Sequence, residues 1–252
     1  MTQKYNMTVI NVDSDLKKTY NEYYQSGTES EWRKLGAVDK AKNIISACSK
    51  IPHDKVLEIG AGEGALLQEL SNHNFGNELS ALEISESGAE SISKRNIKNL
   101  KEVKLYDGYV VPFVDDEFDV VILSHVVEHL EHPRILISEA ARVSKHLFIE
   151  VPLEDVLTAP KDFKITRTGH INFYSYKGIR KLAQSVDLDC LNQEISNPSF
   201  AVHKYLYNNK IKAVVKYSIR KLMLRFFPKM ASYIFVYHCH LLLKSKPVAR
   251  NF

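Results

Sequence analysis

The chain has 252 residues, of which 44% are hydrophobic and 25% are charged, and its formal net charge is +4. That composition is ordinary for a soluble globular protein. Its three cysteines lack CxxC spacing, which argues against a disulfide framework or a zinc ribbon and favours a reducing compartment. The N-terminus lacks the apolar core of a signal peptide, and the longest apolar run, residues 233–243, is too short to span a bilayer. We therefore expect a cytoplasmic protein in which residues 1–252 form a single domain.

The charge is distributed unevenly along the chain. After Glu194 there are 11 basic residues and no acidic one, which leaves 23 basic residues against 30 acidic ones before that point. The N-terminal part is therefore acidic and the C-terminal part strongly basic. Such a split suggests an acidic partner or surface for the C-terminal part.

The first predicted helix covers residues 31–50. Apolar residues recur there at helical spacing from Leu35 to Cys48, and Pro52 follows the end of the pattern. This helix precedes the stretch on which the rest of the chain is organised.

That stretch combines a strand, a glycine turn and a helix. The short apolar run Val56–Ile59 is typical of a buried parallel strand. Gly60, Gly62 and Gly64 follow, and glycine allows a sharp turn and a close approach of the backbone to a ligand. A helix begins near Ala65, so its first N–H groups point toward a ligand bound over the turn.

Two classes of ligand use such a turn. The spacing Gly60-x-Gly62-x-x-Ala65 satisfies the dinucleotide fingerprint. The run Glu-Ile-Gly-Ala-Gly-Glu-Gly, residues 58–64, instead resembles the first motif of the class I S-adenosylmethionine (SAM)-dependent methyltransferases. The resemblance implies that Glu58 faces the ammonium end of the cofactor and that Gly60 and Gly62 pass under its sugar and amino-acid portion.

The same resemblance implies a lid. In many of these methyltransferases, helices ahead of the first strand cover the cofactor, so residues 1–50 are predicted to form N-terminal lid helices. Arg33 is then a candidate for binding the SAM carboxylate. The alternative is an ordinary surface arginine beside an anchoring Trp32.

The second and third strands provide further candidates. Glu83 lies near the end of the predicted strand 79–84, where an acid can accept hydrogen bonds from both ribose hydroxyls. It matches the acid of the family's second motif, and Ile84 is then placed to pack on adenine. Asp107 follows the predicted strand 102–106 and resembles the residue that receives the exocyclic amine of adenine, with Gly108 beside it. Asp-Gly is also a common turn.

Residues 118–130 form the second diagnostic stretch. An apolar strand leads directly into Ser124, His125, Glu128 and His129. This pattern resembles the fourth-strand motif of small-molecule and glycan methyltransferases. The resemblance implies that Ser124 and His125 line the edge of the cofactor.

Residues 170–175, His-Ile-Asn-Phe-Tyr-Ser, resemble the family's H-x-N-x-Y-S segment, which brings a His and a Tyr toward the acceptor. Ser175 is predicted to cap a helix over residues 176–186. Later strands are predicted at 188–194, at 200–204 or at both, and finally at 233–243.

The expected chemistry is an in-line displacement. The methyl group of a sulfonium is already activated, so the protein mainly aligns the reactants. A hydroxyl acceptor must lose its proton, and a histidine titrates near neutral pH. His129 and His170 are therefore the first candidates for a general base, followed by His125. This main interpretation includes no metal ion.

A second interpretation adds a divalent ion held by His125, Glu128, His129 and His170. Those residues resemble the E-x-x-E-H pattern and later His of small-RNA 2′-O-methyltransferases and the related triplet of ubiquinone-pathway O-methyltransferases. Here His125 replaces the first Glu, which departs from the pattern. A metal would hold vicinal hydroxyls and lower the acceptor's pKa.

The segment 205–230 departs from a minimal methyltransferase fold. Basic residues recur four apart on one helical face, and four apolar residues are spaced for another: Ile211, Val215, Leu222 and Phe226. The default expectation is an amphipathic helix that packs on its own domain and ends at Pro228. The alternative is that the basic segment 204–229 contacts an anionic acceptor or a membrane surface.

The predicted fold is α/β, a Rossmann-like class I methyltransferase fold with a seven-stranded, mostly parallel sheet, an antiparallel last strand and helices on both faces. Residues 51–194 form its SAM-binding core. The expected function is transfer of a methyl group from SAM, leaving S-adenosylhomocysteine, to a hydroxyl or less readily an amine of a small molecule or sugar in a glycan or natural-product pathway.

Three alternatives from other classes stay open. They are a metal-assisted RNA 2′-O-methyltransferase, an NAD-dependent oxidoreductase and a non-catalytic SAM-binding protein. Nucleic acid is the less favoured partner because no RNA-binding module is evident and the basic region is mixed with large apolar residues.

Overall fold

The protein is built on one seven-stranded sheet. The computed structural model describes residues 14–25, 30–159 and 169–245, so residues 1–13 and 26–29 of the predicted lid lie outside it. In chain order the strands are β1 (Lys55–Ile59), β2 (Glu78–Glu83), β3 (Leu100–Leu105), β4 (Phe118–Ser124), β5 (Ser144–Pro152), β6 (Leu188–Ser196) and β7 (His238–Ser245).

The strands lie in the spatial order β3-β2-β1-β4-β5-β7-β6. Strand β7 runs antiparallel to both of its neighbours, β5 and β6, whereas the remaining adjacent pairs are parallel. The predicted fold class, a mostly parallel sheet with an antiparallel last strand, is thereby confirmed.

Nine α-helices accompany the sheet in the described ranges. They are α1 (Ser14–Gln25), α2 (Ser30–Cys48), α3 (Ala65–Asn72), α4 (Glu86–Lys94), α5 (Pro133–Arg142), α6 (Tyr176–Gln184), α7 (Phe200–Leu206), α8 (Lys210–Phe226) and α9 (Pro228–Ile234). A short 3₁₀ turn, Val127–His129, follows β4. None of these helices is both long and apolar enough to cross a bilayer.

Strand β4 is buried along its whole length because helices cover both faces of the sheet. Side chains alternate between the faces of a strand. Val121 and Leu123 therefore join the core formed with α5 and α6, while Val120 and Ile122 join the core formed with α2 and α3. The carboxyl ends of the parallel strands meet at one edge, where ligands of open α/β sheets bind.

The predicted cap of α6 is confirmed. Ser175 has extended backbone angles, and its hydroxyl accepts a hydrogen bond from the Gly178 amide at 3.2 Å. Helix α6 ends at Gln184, two residues before the predicted boundary. Ser85 caps α4 in the same way through the Gly88 amide, which fixes the start of that helix directly after β2.

The C-terminal part differs most from the prediction. The strand expected at 200–204 is wrong, because this stretch lies in α7, whose start Ser199 caps through the Val202 amide. The last strand begins at His238 instead of residue 233, because residues 228–234 form α9. Pro228 does not simply stop a helix: α8 ends before it and α9 begins at it, a position that tolerates proline.

The expected packing of the amphipathic helix is also wrong. Its four predicted core residues are exposed, by 75% for Ile211, 48% for Val215, 57% for Leu222 and 67% for Phe226. Helix α8 instead packs through Ala213, which is fully buried, and through Arg220, whose carbonyl accepts a hydrogen bond from the Tyr237 hydroxyl at 2.8 Å.

Candidate functional site

The glycine loop joins β1 to α3 with three left-handed backbone conformations. The φ angles are +74° at Gly60, +57° at Gly62 and +78° at Gly64. An added Cβ at Gly60 would lie 2.6 Å from a methyl group of Val126, and one at Gly62 would lie 2.7 Å from the Tyr24 hydroxyl. Both the backbone angle and the close neighbours therefore require glycine at the first two positions.

Helix α1 lies over this loop. The Tyr24 ring stacks on Tyr20 with centroids 6.1 Å apart, and Tyr20 meets the His129 ring edge-on at 6.1 Å. Asn21 accepts a hydrogen bond from the Ser87 amide at the start of α4. Two tyrosines of α1 thus connect the glycine loop to the histidine cluster. The role of residues 1–50 as a cofactor lid stays a prediction.

Glu58 is a buried carboxyl at the end of β1. Its side chain is 4% exposed, and its Oε2 atom has no hydrogen-bond partner within the described ranges. Burial raises its pKa to about 8, with Lys40 opposing and the Glu83 carboxylate reinforcing the shift. A cationic ligand group beside Glu58 would compensate both the burial and the missing partner.

Glu83 closes the loop from the end of β2. Its carboxylate accepts hydrogen bonds from the Gly62 amide at 2.8 Å and from the Ser85 amide at 3.0 Å. Burial raises its pKa, while these two amides act in the opposite direction. Glu83 therefore holds the glycine loop against β2. Its contact with the ribose hydroxyls of the cofactor stays a prediction for the same carboxylate.

The predicted adenine residues lie after β2 and β3. Ile84 is half-buried and packs against the core. One Asp107 oxygen accepts hydrogen bonds from the amides of Tyr109 at 2.8 Å and Val110 at 2.7 Å, and Gly108 has a φ of +103°. Asp107 thus stabilises a turn, which was the alternative interpretation. Its hydrogen bond to the exocyclic amine of adenine stays a prediction.

Arg33 contacts the glycine loop through a partner that the sequence analysis did not consider. Its guanidinium lies 3.0 Å from one oxygen of Glu63, whose other oxygen lies 3.0 Å from Arg95. Arg33 also lies over the Tyr24 ring, 5.6 Å from its centroid. The structure thus places Arg33 at the loop in an ion pair, and its contact with the SAM carboxylate stays a prediction.

His125 occupies a constrained position at the end of β4. Its φ is +58°, and its amide donates to the Glu150 carbonyl at 2.9 Å. Its Nδ1 lies 3.1 Å from Glu128 Oε1 and its Nε2 lies 3.4 Å from Glu150 Oε1. The preceding Ser124 is buried, and its hydroxyl has no hydrogen-bond partner in the part of the chain that the structure describes.

The carboxylates of Glu128 and Glu150 control the charge of the cluster around His125. Burial and Lys40 act to lower the pKa of His125, but Glu128 and Glu150 outweigh them and raise it. Burial opposes ionisation of Glu150, yet His125 and His238 lower its pKa to about 2. Burial also lowers the pKa of His238 to about 3. At neutral pH the cluster therefore contains ionised Glu150 and neutral His238.

His129 and His170 face each other, with ring centroids 4.8 Å apart and planes nearly perpendicular. His129 Nδ1 lies 3.2 Å from the Gly169 carbonyl, and His170 Nδ1 lies 2.7 Å from Glu154 Oε2. Burial lowers the pKa of His129, so its imidazole is neutral at pH 7. A carbonyl only accepts, so Nδ1 of His129 carries the hydrogen and Nε2 carries the lone pair.

The segment after Gly169 fixes these histidines. The Glu128 carbonyl accepts hydrogen bonds from the amides of Ile171 at 2.9 Å and Asn172 at 3.0 Å. The Asn172 side chain donates to the Leu130 carbonyl at 2.7 Å, and the Tyr174 hydroxyl donates to the Val127 carbonyl at 3.2 Å. The H-x-N-x-Y segment thus holds the turn after β4, and the Tyr174 hydroxyl is engaged by the backbone.

The four residues considered for one metal ion fall into two groups. Glu128, His129 and His170 form one, and His125 joins Glu150 and His238 in the other. Within each group the candidate ligand atoms lie within 4.8 Å of one another.

Sequence reasoning missed Glu150 and His238, although each had a signal. Glu150 is a single acidic residue inside the apolar run of β5, and His238, the first residue of β7, interrupts the apolar run 233–243. A charged residue in a fully buried strand is rare unless it is paired.

The chemistry of the loop fits SAM. The orphaned, buried Glu58 oxygen can receive an ammonium group, and Gly62 and Glu83 lie in one hydrogen-bonded unit beside it. A dinucleotide carries no ammonium group for Glu58.

Comparisons with known proteins agree with this fit. Residues 23–193 match the sequence model of a family described as a methyltransferase domain. An uncharacterized protein of Methanocaldococcus jannaschii is 36% identical over 105 residues, which cover 41% of this chain and 46% of that protein. The demethylmenaquinone methyltransferase of Renibacterium salmoninarum is 26% identical over 125 residues, covering 50% of this chain and 48% of the enzyme. The chain thus matches about half the length of these two relatives.

A solved structure shows the same fold. Coclaurine N-methyltransferase bound to N-methylheliamine and SAH aligns with a TM-score of 0.57 at 17% identity, covering 83% of this chain and 72% of that chain. The family match spans more than half of the chain and contains the glycine loop, Glu83 and the turn after β4. The chain therefore belongs to the class I SAM-dependent methyltransferases, and SAM is its cofactor.

Proposed function

We propose that this protein transfers the methyl group of SAM to a hydroxyl group of a small molecule or sugar intermediate. The observation that carries the proposal is His129, a neutral imidazole with its Nδ1 hydrogen directed to the Gly169 carbonyl and its lone pair on Nε2. Tyr20 and Tyr24 connect it to the glycine loop. A neutral base next to the cofactor loop suits an acceptor that must lose a proton during attack.

When bound, SAM supplies a methyl group on a good leaving group. Glu58 would hold the ammonium end, Glu83 the ribose and Asp107 the adenine amine. His129 would accept the hydroxyl proton at Nε2 as the acceptor oxygen attacks. His170 is oriented by Glu154 at 2.7 Å and would position the acceptor beside His129. His125, whose pKa is raised, is less suited to act as the base at neutral pH.

A second candidate function is metal-assisted 2′-O-methylation of RNA. The observation that favours it is the compact group Glu128, His129 and His170, in which the Oε2 atom of Glu128 has no hydrogen-bond partner among the described residues. In that case an ion would hold the acceptor oxygens and His129 would be a ligand. The exposed apolar side chains that lie among the basic residues of α8 argue against RNA, because contacts between those basic residues and phosphates would leave the apolar side chains in water.

The proposed setting is the cytoplasm, in a glycan or natural-product pathway. Cys48, Cys190 and Cys239 are all free thiols, as a reducing compartment favours. The acceptor class rests on the resemblance of residues 118–130 and 170–175 to segments of small-molecule and glycan methyltransferases. An acceptor that carries negative charge would suit the basic C-terminal part.

The test is transfer of tritiated methyl from SAM to a panel of sugar nucleotides, free sugars, phenols, amines and short RNAs. We expect incorporation into a hydroxyl acceptor that persists in EDTA. Incorporation into RNA that EDTA abolishes would support the second candidate. Tight SAM binding without incorporation into any class would instead support a non-catalytic SAM-binding protein.

A further inference from the structure

We propose that His125, Glu150 and His238 bind one divalent transition-metal ion of the zinc class. The side chains come from the ends of β4, β5 and β7, and Glu150 lies between the two imidazoles. His125 Nε2 lies 3.4 Å and His238 Nδ1 lies 3.6 Å from the same oxygen, Glu150 Oε1. This inference does not rest on the proposed methyl transfer.

The distances fit metal ligands better than direct hydrogen bonds. Charge-assisted N–H···O bonds are shorter, about 2.7–2.9 Å. Ligand atoms bound about 2.0–2.1 Å from a tetrahedral zinc ion lie about 3.4 Å from one another. Glu150 is fully buried, and neither its Oε1 nor His125 Nε2 has a hydrogen-bond partner within the described residues.

The outer partners that a metal site needs are already in place. His125 directs its other ring nitrogen, Nδ1, to Glu128 Oε1 at 3.1 Å. The second Glu150 oxygen accepts from the Asn43 amide at 2.9 Å, and this amide also lies 3.0 Å from the Ser196 hydroxyl. Such partners orient metal-binding imidazoles and carboxylates.

The local charge also favours a cation. Glu128 and Glu150 bring two carboxylates, while Lys40 is close enough to act electrostatically on His125, Glu150 and His238. A metal ion would displace the proton that Glu128 and Glu150 favour on His125. With its imidazoles then neutral, the cluster has two carboxylates and one ammonium group and is net negative before the ion is counted. Two histidines and one carboxylate are a ligand set for zinc and similar ions, and three protein ligands leave a fourth position for a water molecule.

The experiment is a zinc titration of tag-free, EDTA-dialysed protein against a chromophoric chelator, with metal content measured by mass spectrometry. We expect one equivalent bound by the wild type and at least about 100-fold weaker binding after His238→Ala or Glu150→Gln. Asn43→Ala should weaken binding by about tenfold. His238→Asn provides a second variant if His238→Ala lowers stability.

Two controls separate this site from its neighbours. His240→Ala removes a buried histidine two positions along the same strand, and His170→Ala removes the other potential metal group. Both should bind zinc like the wild type. Absence of zinc binding, or loss of zinc in His170→Ala but not in His238→Ala, would overturn the proposal. SAM titrations of the same samples report the cofactor site separately.

A different observation carries a second inference, on the outer face of α8. Six apolar side chains of this helix are exposed: Ile211, Val214, Val215, Ile219, Leu222 and Phe226. At 100° per residue they occupy a sector of about 140°. Lys221 borders it on one side, with Arg225 just inside that border, and Lys212 and Lys216 lie beyond the other border. We call this sector the α8 apolar stripe.

We infer that the α8 apolar stripe docks on an anionic membrane surface. An interfacial helix buries an apolar face at the headgroup boundary while flanking lysines and arginines reach the phosphates. Helix α8 has six basic and no acidic residues. Two copies placed stripe to stripe would bring those charges together, so charge complementarity favours an anionic bilayer over a second copy of this chain.

The test is sedimentation of the protein with vesicles of phosphatidylcholine alone or mixed with phosphatidylserine. We expect binding to the anionic vesicles only. The double variant Lys221→Gln/Arg225→Gln should weaken binding to anionic vesicles by about fivefold for each charge removed. The double variant Leu222→Ser/Phe226→Ser should weaken the same binding by at least about tenfold. The matched controls are Lys101→Gln, an exposed lysine elsewhere, and Leu157→Ser, a leucine that is 80% exposed.

Three outcomes would overturn this inference. One is equal binding to both vesicle types, and another is no binding to either. The third is wild-type dimerisation that the Leu222→Ser/Phe226→Ser variant abolishes, which would make the stripe an interface between copies.

Discussion

The cofactor edge of the sheet and the outer face of α8 depart from the usual distribution of side chains in opposite directions. At the edge, the carboxyl groups of Glu58 and Glu150 are almost fully buried. On α8, Ile211 and Phe226 have most of their apolar surface in water. Buried carboxyl groups and exposed apolar patches both cost free energy unless something compensates them. The difference indicates a small, charged ligand at the edge and an extended, apolar boundary at α8.

The two regions also differ in what fixes their geometry. The edge is held by backbone hydrogen bonds such as those from Gly62 and Ser85 to Glu83. Helix α8 is attached through one narrow face around Ala213 and Arg220. Substitutions at the edge should therefore affect ligand binding strongly, whereas substitutions on the outer face of α8 should leave the cofactor site unchanged.

The largest expected effect is that of Gly62→Val. A β-branched side chain at a φ of +57° is strained, and its Cβ would lie 2.7 Å from the Tyr24 hydroxyl. We expect SAM affinity to fall by at least about 100-fold, measured by calorimetry, because the loop and α1 must both shift. The control is Gly36→Ala in α2, where a Cβ meets nothing within 4 Å. It should retain SAM binding and raise stability by about 1 kcal/mol.

His129→Asn tests the chemistry at the same edge. If His129 is the base, the rate of methyl transfer should fall by about 10²–10⁴-fold while SAM affinity changes little. The matched control is His132→Asn, an exposed histidine three residues further along the chain, directly before α5. Unchanged turnover in His129→Asn would remove the base from our mechanism, whereas loss in both variants would indicate a general disturbance of the turn.

The raised pKa of Glu58, about 8, makes the cofactor site sensitive to pH. If SAM binds the ionised form, its affinity should rise about tenfold from pH 6 to pH 7, because the ionised fraction rises tenfold. Protein stability should change in the opposite direction. The folded protein keeps a proton that the unfolded chain loses above pH 4.5, so the contribution of Glu58 to stability falls as pH rises toward 8.

Glu58→Gln provides the control for this pH dependence. The amide cannot ionise, so SAM affinity should be low and nearly independent of pH between 6 and 7. A slope that persists in Glu58→Gln would assign the pH dependence to the histidines of the cluster instead. Calorimetry at several pH values, paired with urea unfolding of the same two proteins, measures both trends.

The sequence predicted the cofactor loop because its signal is local. Three glycines at alternate positions between a strand and a helix restrict the backbone to one kind of turn, and Gly60, Gly62 and Gly64 all have positive φ. The seven-stranded, mostly parallel sheet with an antiparallel last strand followed from the resemblance to the methyltransferase family, and the structure confirms it.

The histidine and carboxylate clusters were harder to predict because their members come from distant parts of the chain. His125 and Glu128 lie three positions apart in sequence, but Glu150 and His238 reach them through the pairing of β4, β5 and β7. The resemblance to the E-x-x-E-H pattern and its later His grouped His125 with Glu128, His129 and His170. The structure instead places His125 with Glu150 and His238, and places Glu128 with His129 and His170.

The face of α8 that packs on the domain could not be predicted from the periodicity of the sequence. Apolar spacing predicts an amphipathic helix but not which face the domain covers. The usual assumption that apolar residues face the core failed here, since Ala213, Tyr217 and Arg220 make the inner contacts. The sequence contained one indication that the apolar face is the outer one, namely the basic residues on both sides of the α8 apolar stripe.

The smallest expected effect is that of removing apolar surface from the outer face of α8. Leu222→Ser with Phe226→Ser should leave SAM affinity within about twofold and the free energy of unfolding within about 0.5 kcal/mol, because both side chains are exposed in the folded protein. Calorimetry and urea unfolding in the absence of vesicles measure the two quantities. A loss of more than about 2 kcal/mol would show that the α8 apolar stripe packs on the protein itself. Unchanged stability together with lost vesicle binding would show that folding and docking use opposite faces of the same helix.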